Sequence, residues 1–429
     1  MKDAWSGRAG FILAAIGSAV GLGSIWKFPY EVGANGGAAF VLFYLAGLLL
    51  AVVPLMYAEF AIGRRGRGDA AASIARLAAA HGARSGWRWA GVLGVLTGLL
   101  VLSFYSVIGG WTLAYAIDPA RSYEALLASP ARMTAYHAVF LAVAAAIVAR
   151  GVGRGIEATA KVLMPLLALL MIALAAYSVA YGDLAATVRF LFKLDVSAFT
   201  ARAALDALGL GFFSIGVGFG LMITYAAYAG KDIDLRQAAL WSIGADTAIS
   251  LLAGFAVFPV VFANALDPAS GPGLVFVTLP LAFARMPFGA LAAAAFFVLL
   301  FVAALASAVS MLELAVAPVT RTLGGSRARA SLAVAAACFV AGLATVFSFN
   351  LWSHWEPTAF EALDHLTSNV LLPISGLAMA LFAGWALPKA VLAEELRMTR
   401  RGAALLHGLL RWLTPALIAM TALAPAFLR

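Results

Sequence analysis

Long apolar stretches alternate with short polar segments along almost the whole chain. A helix needs about 20 mostly apolar residues to cross a bilayer. Eleven segments meet that length: residues 8–33, 38–63, 88–116, 133–150, 158–181, 202–229, 236–263, 289–320, 329–350, 361–387 and 403–427. Residues 264–288 carry four prolines, so we expect a re-entrant or capping loop there. The pattern predicts an all-α integral membrane protein with eleven transmembrane helices.

The composition supports the membrane assignment and narrows the chemistry. Of the 429 residues, 64% are hydrophobic and 11% are charged, whereas a soluble domain carries about 25% charged residues. The single cysteine, Cys338, excludes a disulfide framework, and the five histidines lack metal-ligand spacing. The sequence offers no nucleophile–base pair, phosphate-binding loop or metal cluster, so we do not expect an enzyme.

The positive charge predicts the orientation in the membrane. The formal net charge is +9, but the basic residues lie in short loops rather than in one patch, which argues against a nucleic-acid partner. They concentrate after the even-numbered spans, as at Arg64, Arg150, Lys231, Arg321 and Lys389. These loops should be cytoplasmic. We therefore expect a multi-pass plasma-membrane protein, in a bacterial inner membrane, with its N-terminus in the cytoplasm and its C-terminus outside.

Two spans contain glycine-rich stretches that should interrupt a helix. The first is GSAVGLGSIWKFP at 17–29, and the second is GLGFFSIGVGFG at 209–220. A single glycine pair could serve only close helix packing. Two long interruptions five spans apart instead favour a transporter built from two inverted repeats. The repeats would be residues 1–181 and 202–387, with residues 403–427 as a peripheral helix.

An interrupted helix frees backbone N–H and C=O groups in the middle of the membrane. Such groups are costly in hydrocarbon unless they line a cavity and meet a ligand. Freed carbonyls suit a small cation, and the N-termini of half-helices suit a carboxylate. The two interruptions therefore predict a solute and cation site near the midplane.

Several short motifs also follow one another in order. Besides GSAVGLGSIWKFPY they are ANGGAAF at 34–40, PLMYAEFAIGRRG at 54–66, SFYSVIGGW at 103–111, GIEATAKVLMP at 155–165, FFSIGVGFGLMITYAAY at 212–228, AALASAVSMLE at 303–313 and LTSNVLLPISGL at 366–377. Together they resemble the neurotransmitter:sodium symporter family, whose bacterial members include LeuT-like amino-acid transporters. The resemblance implies a LeuT-like 5+5 inverted repeat with discontinuous helices one and six, which works by alternating access.

The resemblance also implies a substrate site. Gly21 stands where monoamine carriers place an Asp, so an amino acid is expected rather than a monoamine. Gly216 stands where a relative often has Ser, which favours a bulky neutral side chain, branched or aromatic. The implied substrate-binding residues are Ala19, Leu22, Gly23, Val101, Tyr105, Phe213, Ser214, Gly216, Phe219, Ser307 and Met311.

One or two sodium ions are implied as well. The first site would comprise Ala19, Ser24, Ser214 and Asp246, and the second Gly17, Val20, Ala303 and Ser307. Ala306 occupies a position where the family usually has a threonine. The second site therefore lacks one hydroxyl and should be weakened.

Asp246 is a carboxylate deep inside a span, which by default suggests a functional site. Chloride-dependent relatives use a glutamine where this chain has Leu210, together with the positions of Tyr44 and Ser250. We expect Asp246 to replace chloride as the negative charge beside sodium, so chloride should not be required. It could also bind a proton when sodium leaves. The alternative is a polar residue that faces water near the inner end of the span.

The implied gates depart from the family pattern. The outer pair, usually Arg and Asp, is Lys27 and Asp364, with Phe213 as the lid beneath it, while the inner pair is Lys2 and Arg321, close to Trp5. Because two cations cannot attract each other, either another carboxylate or the packing of Trp5 must close the inner gate.

The leading hypothesis is a sodium-coupled symporter of neutral, hydrophobic or aromatic amino acids. A proton-coupled or sodium-independent carrier is one alternative, motivated by Ala306 and Asp246. A non-transporting amino-acid sensor of the same fold is another, motivated by the altered inner gate. The expected partners are the substrate and the lipid bilayer, without an obligatory protein partner.

Overall fold

The computed structural model describes residues 4–119, 121–195, 197, 199–268, 273–324 and 326–427, and helices make up most of this part. The first half contains α1 (Arg8–Ala19), α2 (Gly23–Ala34), α3 (Ala38–Gly66), α4 (Ala70–Ala80), α5 (Ser85–Ile117), α6 (Tyr123–Leu127), α7 (Pro130–Ala149), α8 (Val152–Tyr181) and α9 (Leu184–Phe192). The second half contains α10 (Ala201–Ile215), α11 (Leu221–Ala227), α12 (Leu235–Ala263), α13 (Leu274–Phe283), α14 (Gly289–Leu323), α15 (Arg327–Ser348), α16 (Ala359–Ala386), α17 (Lys389–Glu395) and α18 (400–427).

The helix lengths confirm the predicted fold class. Within the described residues, nine helices are long and apolar enough to cross a membrane, and the pair α1 and α2, bent by 49°, forms a tenth crossing. The helices α10 and α11 are each too short to cross a membrane alone, so the eleventh predicted crossing would need both of them together. The observed bounds lie within a few residues of the predicted ones, because a fixed hydrocarbon thickness sets the length of each apolar run.

Both predicted interruptions are present, and the backbone shows why they occur. After α1, Val20 adopts an extended conformation and ends the helix. Between α10 and α11, Gly216, Gly218 and Gly220 all have positive φ angles, of 71°, 91° and 78°. Residues with a Cβ rarely adopt this left-handed conformation. The glycines of the second interruption therefore permit a chain path that no regular helix could follow.

The helices form two groups that meet around the interruptions. In one group α3 packs against α11 and α12, α1 packs against α12, and α10 packs on α3. In the other, α5 packs along α14, with α7 and α15 beside them. The two broken helices thus face α5 and α14 across the middle of the molecule, and this places the candidate site between the two groups.

The segment predicted as a re-entrant or capping loop contains the short helix α13; residues 269–272 of that segment lie outside the described part. Phe276 of α13 is buried. Its ring packs within 6.0 Å of the rings of Trp26, Trp111 and Tyr115, and its carbonyl accepts a hydrogen bond from the Tyr115 hydroxyl at 3.3 Å. The described part of the segment therefore covers the end of α5 opposite the arginine-rich loops.

Candidate substrate and ion sites

A small cavity lies between the two interruptions. Its lining residues are Ser18, Gly21, Leu22, Gly23, Val101, Tyr105, Phe213, Ser214, Gly216, Phe219, Leu221, Ser307 and Met311. Ten of the eleven implied substrate-binding residues therefore line this cavity. The exception, Ala19, is buried at the first interruption without lining the cavity. Ser18 and Leu221 line the cavity although sequence reasoning did not name them.

Tyr105, on α5, forms a hydrogen bond to the interruption that follows α1. Its hydroxyl accepts a hydrogen bond from the backbone N–H of Leu22 at 3.2 Å, which is a donor in the broken part of the helix. A methyl group at Gly21 would lie 3.1 Å from this hydroxyl and 2.5 Å from Oγ of Ser307. A side chain at this position would therefore displace the Ser307 hydroxyl and crowd that of Tyr105, which favours glycine here over the aspartate of monoamine carriers.

The remaining walls of the cavity are mostly apolar. Val101, Phe219 and Met311 are buried, and Phe213 is partly buried. At Gly216, a methyl group would meet only the carbonyl of Ser18, at 3.9 Å, but the φ of 71° would strain any side chain. The open space beside Gly216 and the apolar walls suit a large uncharged side chain.

Asp246 stands at the centre of an oxygen cluster that adjoins this cavity, and its side chain is fully buried. The Tyr44 hydroxyl donates to Oδ2 at 3.1 Å, and Oγ of Ser214 lies 3.1 Å from both carboxylate oxygens. The Ser24 hydroxyl also bonds to the carboxylate and lies 2.9 Å from Oγ of Ser214. We call Ser24, Tyr44, Ser214 and Asp246 the first oxygen cluster. Each member comes from a different helix: α2, α3, α10 and α12.

The first oxygen cluster has the chemistry of a site for a hard cation. Carboxylate and hydroxyl oxygens are hard ligands of the kind that suit alkali and alkaline-earth cations. Among the described residues, no lysine or arginine forms an ion pair with Asp246. Because a buried charge is costly without a partner, a monovalent cation beside this carboxylate would balance it. The sequence relates Tyr44 only to the chloride site of relatives, whereas in the structure its hydroxyl donates to the Asp246 carboxylate.

A second group of oxygens surrounds Ser307. Its Oγ lies 3.3 Å from the carbonyl oxygen of Val20 and 3.5 Å from those of Gly17 and Ser18. We call Ser307 and these three carbonyls the second oxygen cluster. The carbonyl of Ser18 was not among the predicted ligands. The three carbonyls turn towards one point because α1 ends there.

Two further positions near the second oxygen cluster are apolar. A methyl group at Gly17 would lie 3.5 Å from Cβ of Ala306, which places Ala306 directly beside the end of α1. Ala303 is fully buried one turn before Ser307 on α14. Neither alanine adds a side-chain oxygen, so Ser307 has the one hydroxyl of this cluster.

A buried carboxylate that sequence reasoning missed holds the second interruption. Oε1 of Glu59, on α3, accepts a hydrogen bond from the backbone N–H of Gly218 at 2.6 Å. The hydroxyl of Ser375, on α16, donates to the carbonyl of the same glycine at 2.7 Å. Both backbone groups of Gly218 are therefore satisfied by side chains of neighbouring helices. A glutamate inside an apolar run was the signal that could have revealed this contact.

A larger cavity lies at the end of the molecule opposite the arginine-rich loops. Phe213 lines both cavities and so separates them. The ammonium group of Lys27 lies 4.9 Å from the centre of the Phe213 ring. Asp364 instead accepts a hydrogen bond from Ser368 at 2.9 Å. Within the described chain, the implied outer pair of Lys27 and Asp364 is therefore not formed, although both residues line this cavity.

The arginine-rich end is closed by packing around Trp5. The indole N–H of Trp5 donates to the carbonyl of Tyr225 at 2.9 Å. The indole ring packs against the rings of Tyr225 and Phe11, with centroid distances of 5.2 Å and 5.8 Å. Trp5 thus joins the segment before α1 to α11 beneath the candidate site.

Arg321 has a partner that was not predicted. Its Nε lies 2.6 Å from Oδ2 of Asp69, whose side chain is only 1% exposed. The other carboxylate oxygen of Asp69 caps α4 by accepting from the N–H of Ala72 at 3.1 Å. Lys2, the other implied member of the inner pair, lies outside the described residues. The sequence predicts that either another carboxylate or the packing of Trp5 closes the inner gate. Asp69 is such a carboxylate.

The sequence profile of the sodium:neurotransmitter symporter family matches residues 2–127 and 124–425. The chain belongs to this family. The resemblance noted in the sequence is thereby confirmed, and so is the expectation that the chain is a transporter rather than an enzyme.

Individual members of the symporter family are similar over nearly the full length. The uncharacterized sodium-dependent transporter YhdH of Bacillus subtilis is 37% identical over 409 residues, which cover 92% of this chain and 90% of the relative. An uncharacterized sodium-dependent transporter of Methanocaldococcus jannaschii is 33% identical, with coverages of 90% and 82%. The crystal structure of MhsT in complex with L-phenylalanine matches with a TM-score of 0.91 and 40% identity, covering 99% of this chain and all of that one.

Proposed function

We propose that this symporter-family protein couples the uptake of neutral, hydrophobic or aromatic amino acids to a sodium gradient by alternating access. The observation that supports this most directly is the position of the apolar-walled cavity, which lies between two broken helices and adjoins a buried carboxylate. The related MhsT has been crystallised with L-phenylalanine, an amino acid of this class.

The amino-acid backbone would bind at the first interruption. The substrate carboxylate would meet the Tyr105 hydroxyl and the dipoles of the broken helix around Leu22 and Gly23. Its side chain would extend towards Phe213, Phe219 and Met311. A sodium ion in the first oxygen cluster would lie next to that carboxylate, so substrate and ion would bind more tightly together than apart.

The charge of the first oxygen cluster favours transport without chloride. Asp246 supplies a permanent carboxylate beside the proposed ion, and Tyr44 donates its hydroxyl to that carboxylate. An additional chloride in the same place would be repelled by the aspartate. We propose that at least one sodium ion binds here, and that any second ion in the cluster around Ser307 binds more weakly.

The two ends of the molecule indicate a state open to one side. The large cavity opens on the side opposite the arginine-rich loops, while Trp5 and the ion pair of Asp69 with Arg321 close the other end. By the positive-inside rule the closed end would face the cytoplasm of a bacterial inner membrane, with the N-terminus inside and the C-terminus outside. Opening this end would require the Asp69–Arg321 contact to separate.

Two alternatives keep the same fold. A carrier driven by protons, or by no ion, would use Asp246 as a proton acceptor, and the apolar Ala306 favours that alternative. A non-transporting sensor was suggested by an inner gate with two cations. Because Asp69 provides Arg321 with a carboxylate, that reason for preferring a sensor no longer applies.

The test is uptake into proteoliposomes that contain the purified full chain. Radiolabelled phenylalanine or leucine should accumulate when external sodium exceeds internal sodium, and accumulation should disappear when choline replaces sodium. Gluconate in place of chloride should leave uptake unchanged, and excess lysine or glutamate should not compete. Equal uptake in choline would rule out sodium coupling. Sodium-dependent binding without any uptake would favour the sensor.

A further inference from the structure

The corner where α16 ends and α18 passes it carries two exposed tryptophans in contact. Trp385 and Trp412 are 49% and 63% exposed, and their ring centroids are 4.9 Å apart. The guanidinium carbon of Arg411 lies 4.0 Å from the centre of the Trp385 ring and 5.7 Å from that of Trp412. The indole N–H of Trp385 donates to the carbonyl of Arg411 at 3.1 Å. The arginine is thus held in place by two aromatic rings from two helices.

The charge of this corner is not balanced by nearby carboxylates. Lys389 and Arg411 are both close enough to His407 to interact with it electrostatically, so the two cations belong to the same corner. The carboxylates of α17, Glu394 and Glu395, are paired with Arg65 and Arg64 instead. Among the described residues, neither Lys389 nor Arg411 forms an ion pair, and Nε of Arg411 is buried without a hydrogen-bond partner.

The position of the corner identifies the kind of partner. Trp385 lies at the end of α16, just before Pro388, on the side of the arginine-rich loops. Tryptophans that are half exposed at the end of a membrane-spanning helix lie at the level of the lipid headgroups. A guanidinium can stack on aromatic rings, and Arg binds phosphate by paired hydrogen bonds. Lys389 and Arg411 together would meet one negative charge at that depth.

We propose that Trp385, Lys389, Arg411 and Trp412 form a binding site for the phosphate of an anionic phospholipid in the leaflet next to the arginine-rich loops. The indole rings would contact the glycerol and upper acyl region, and the two cations would contact the phosphate diester. This site rests on the chain spanning a bilayer and is independent of the proposed substrate and ion.

The test is native mass spectrometry of the purified full chain with added phosphatidylglycerol, phosphatidylcholine or inorganic phosphate. We expect Arg411→Gln to weaken phosphatidylglycerol retention about tenfold, since a charge-assisted contact to phosphate is lost. Lys389→Gln should weaken it about fivefold, because one cation near a charged lipid surface contributes about 1 kcal/mol. Phosphatidylcholine should not displace the bound lipid.

Arg88→Gln is the matched control. Arg88 also lies beside an exposed tryptophan at the arginine-rich end, 5.2 Å from the ring of Trp89, but it has one ring instead of two. This variant should retain phosphatidylglycerol like the parent chain. Equal losses in the variants of Arg88, Lys389 and Arg411 would overturn the proposal, as would equal retention of phosphatidylcholine. Displacement of the lipid by inorganic phosphate at equal concentration would show an anion site without lipid selectivity and would also overturn it.

Discussion

The two oxygen clusters beside the cavity differ in how their charge is supplied. The first contains a full carboxylate, Asp246, and three hydroxyls from three other helices. The second contains one hydroxyl, from Ser307, and three backbone carbonyls at the end of α1. The first cluster therefore attracts a cation through the full negative charge of a side chain. The second cluster attracts it through the dipoles of carbonyl groups that the broken helix exposes.

This difference suggests a division of roles. A buried carboxylate attracts any monovalent cation strongly, including a proton. Backbone carbonyls and one hydroxyl attract a cation less strongly, and their spacing depends on how α1 is broken. We expect the first cluster to set the affinity for sodium, and the second to respond to movement of α1 against α14. The four substitutions that follow test this division.

Asp246→Asn should have the largest effect, because it removes the charge and keeps the size of the side chain. We expect the sodium concentration for half-maximal uptake to rise about 100-fold. The bound sodium ion would lose its carboxylate, and a buried charge without its partner costs about 3 kcal/mol or more. The measurement is the sodium dependence of phenylalanine uptake in proteoliposomes, with and without chloride. Partial recovery in chloride would strengthen the assignment of the aspartate as a replacement for that anion.

Thr247→Val is the control for this substitution. Thr247 follows Asp246 on α12, and its hydroxyl bonds to the carbonyl of Ile243 in its own helix at 2.8 Å. The control should transport like the parent chain. If Asp246→Asn also transported normally in chloride-free buffer, the carboxylate would have no role in coupling, and the contrast between the clusters would disappear.

Ser307→Ala removes the hydroxyl of the second cluster and should have an intermediate effect. The loss of one neutral ligand is expected to weaken sodium affinity about tenfold, in line with about 1.5 kcal/mol for one polar contact. The control is Thr322→Val on the same helix, where the hydroxyl bonds only locally, to the carbonyl of Pro318. A loss as large as that of Asp246→Asn would contradict the proposed ranking of the two clusters.

Tyr44→Phe should have a smaller effect in the first cluster. The hydroxyl donates to Asp246 at 3.1 Å, so its removal leaves the charge but loosens its position, and we expect about a fivefold weaker sodium affinity. Tyr115→Phe is matched, because that buried tyrosine bonds to the carbonyl of Phe276 far from both clusters. Equal behaviour of the two variants would show that Tyr44 does not position the carboxylate.

The sequence was sufficient for the fold because the information is local. An apolar run of membrane length must form a span, and three glycines close together, at Gly216, Gly218 and Gly220, already indicate an interrupted helix. The family resemblance then assigned roles to single positions, and the cavity brings nearly all of them together. Those roles remain predictions until the variants are measured.

The contacts that sequence reasoning missed all join residues distant in the chain. Glu59 meets Gly218 across 159 positions, and Arg321 meets Asp69. Neither residue of the second pair looks unusual, since Asp69 reads as an ordinary cap for α4. Lys27 lies over the Phe213 ring instead of pairing with Asp364, and this choice depends on the relative position of α2, α10 and α16. Such pairings follow from tertiary packing, which single-residue patterns do not encode.

Ala306→Thr should have the smallest effect and the opposite sign. It adds a hydroxyl directly beside the end of α1, where the family resemblance implies a threonine, and so would supply the oxygen that the second cluster lacks. We expect sodium affinity to increase about threefold, a gain limited by the cost of fitting the larger side chain into a packed site. Ala306→Val is the matched control, because valine has the shape of threonine without its hydroxyl. If threonine raises the affinity and valine does not, the second cluster binds a cation through its side-chain oxygens. If both variants lose affinity equally, packing against Gly17 decides the outcome, and the carbonyls at the end of α1 do not form a cation site.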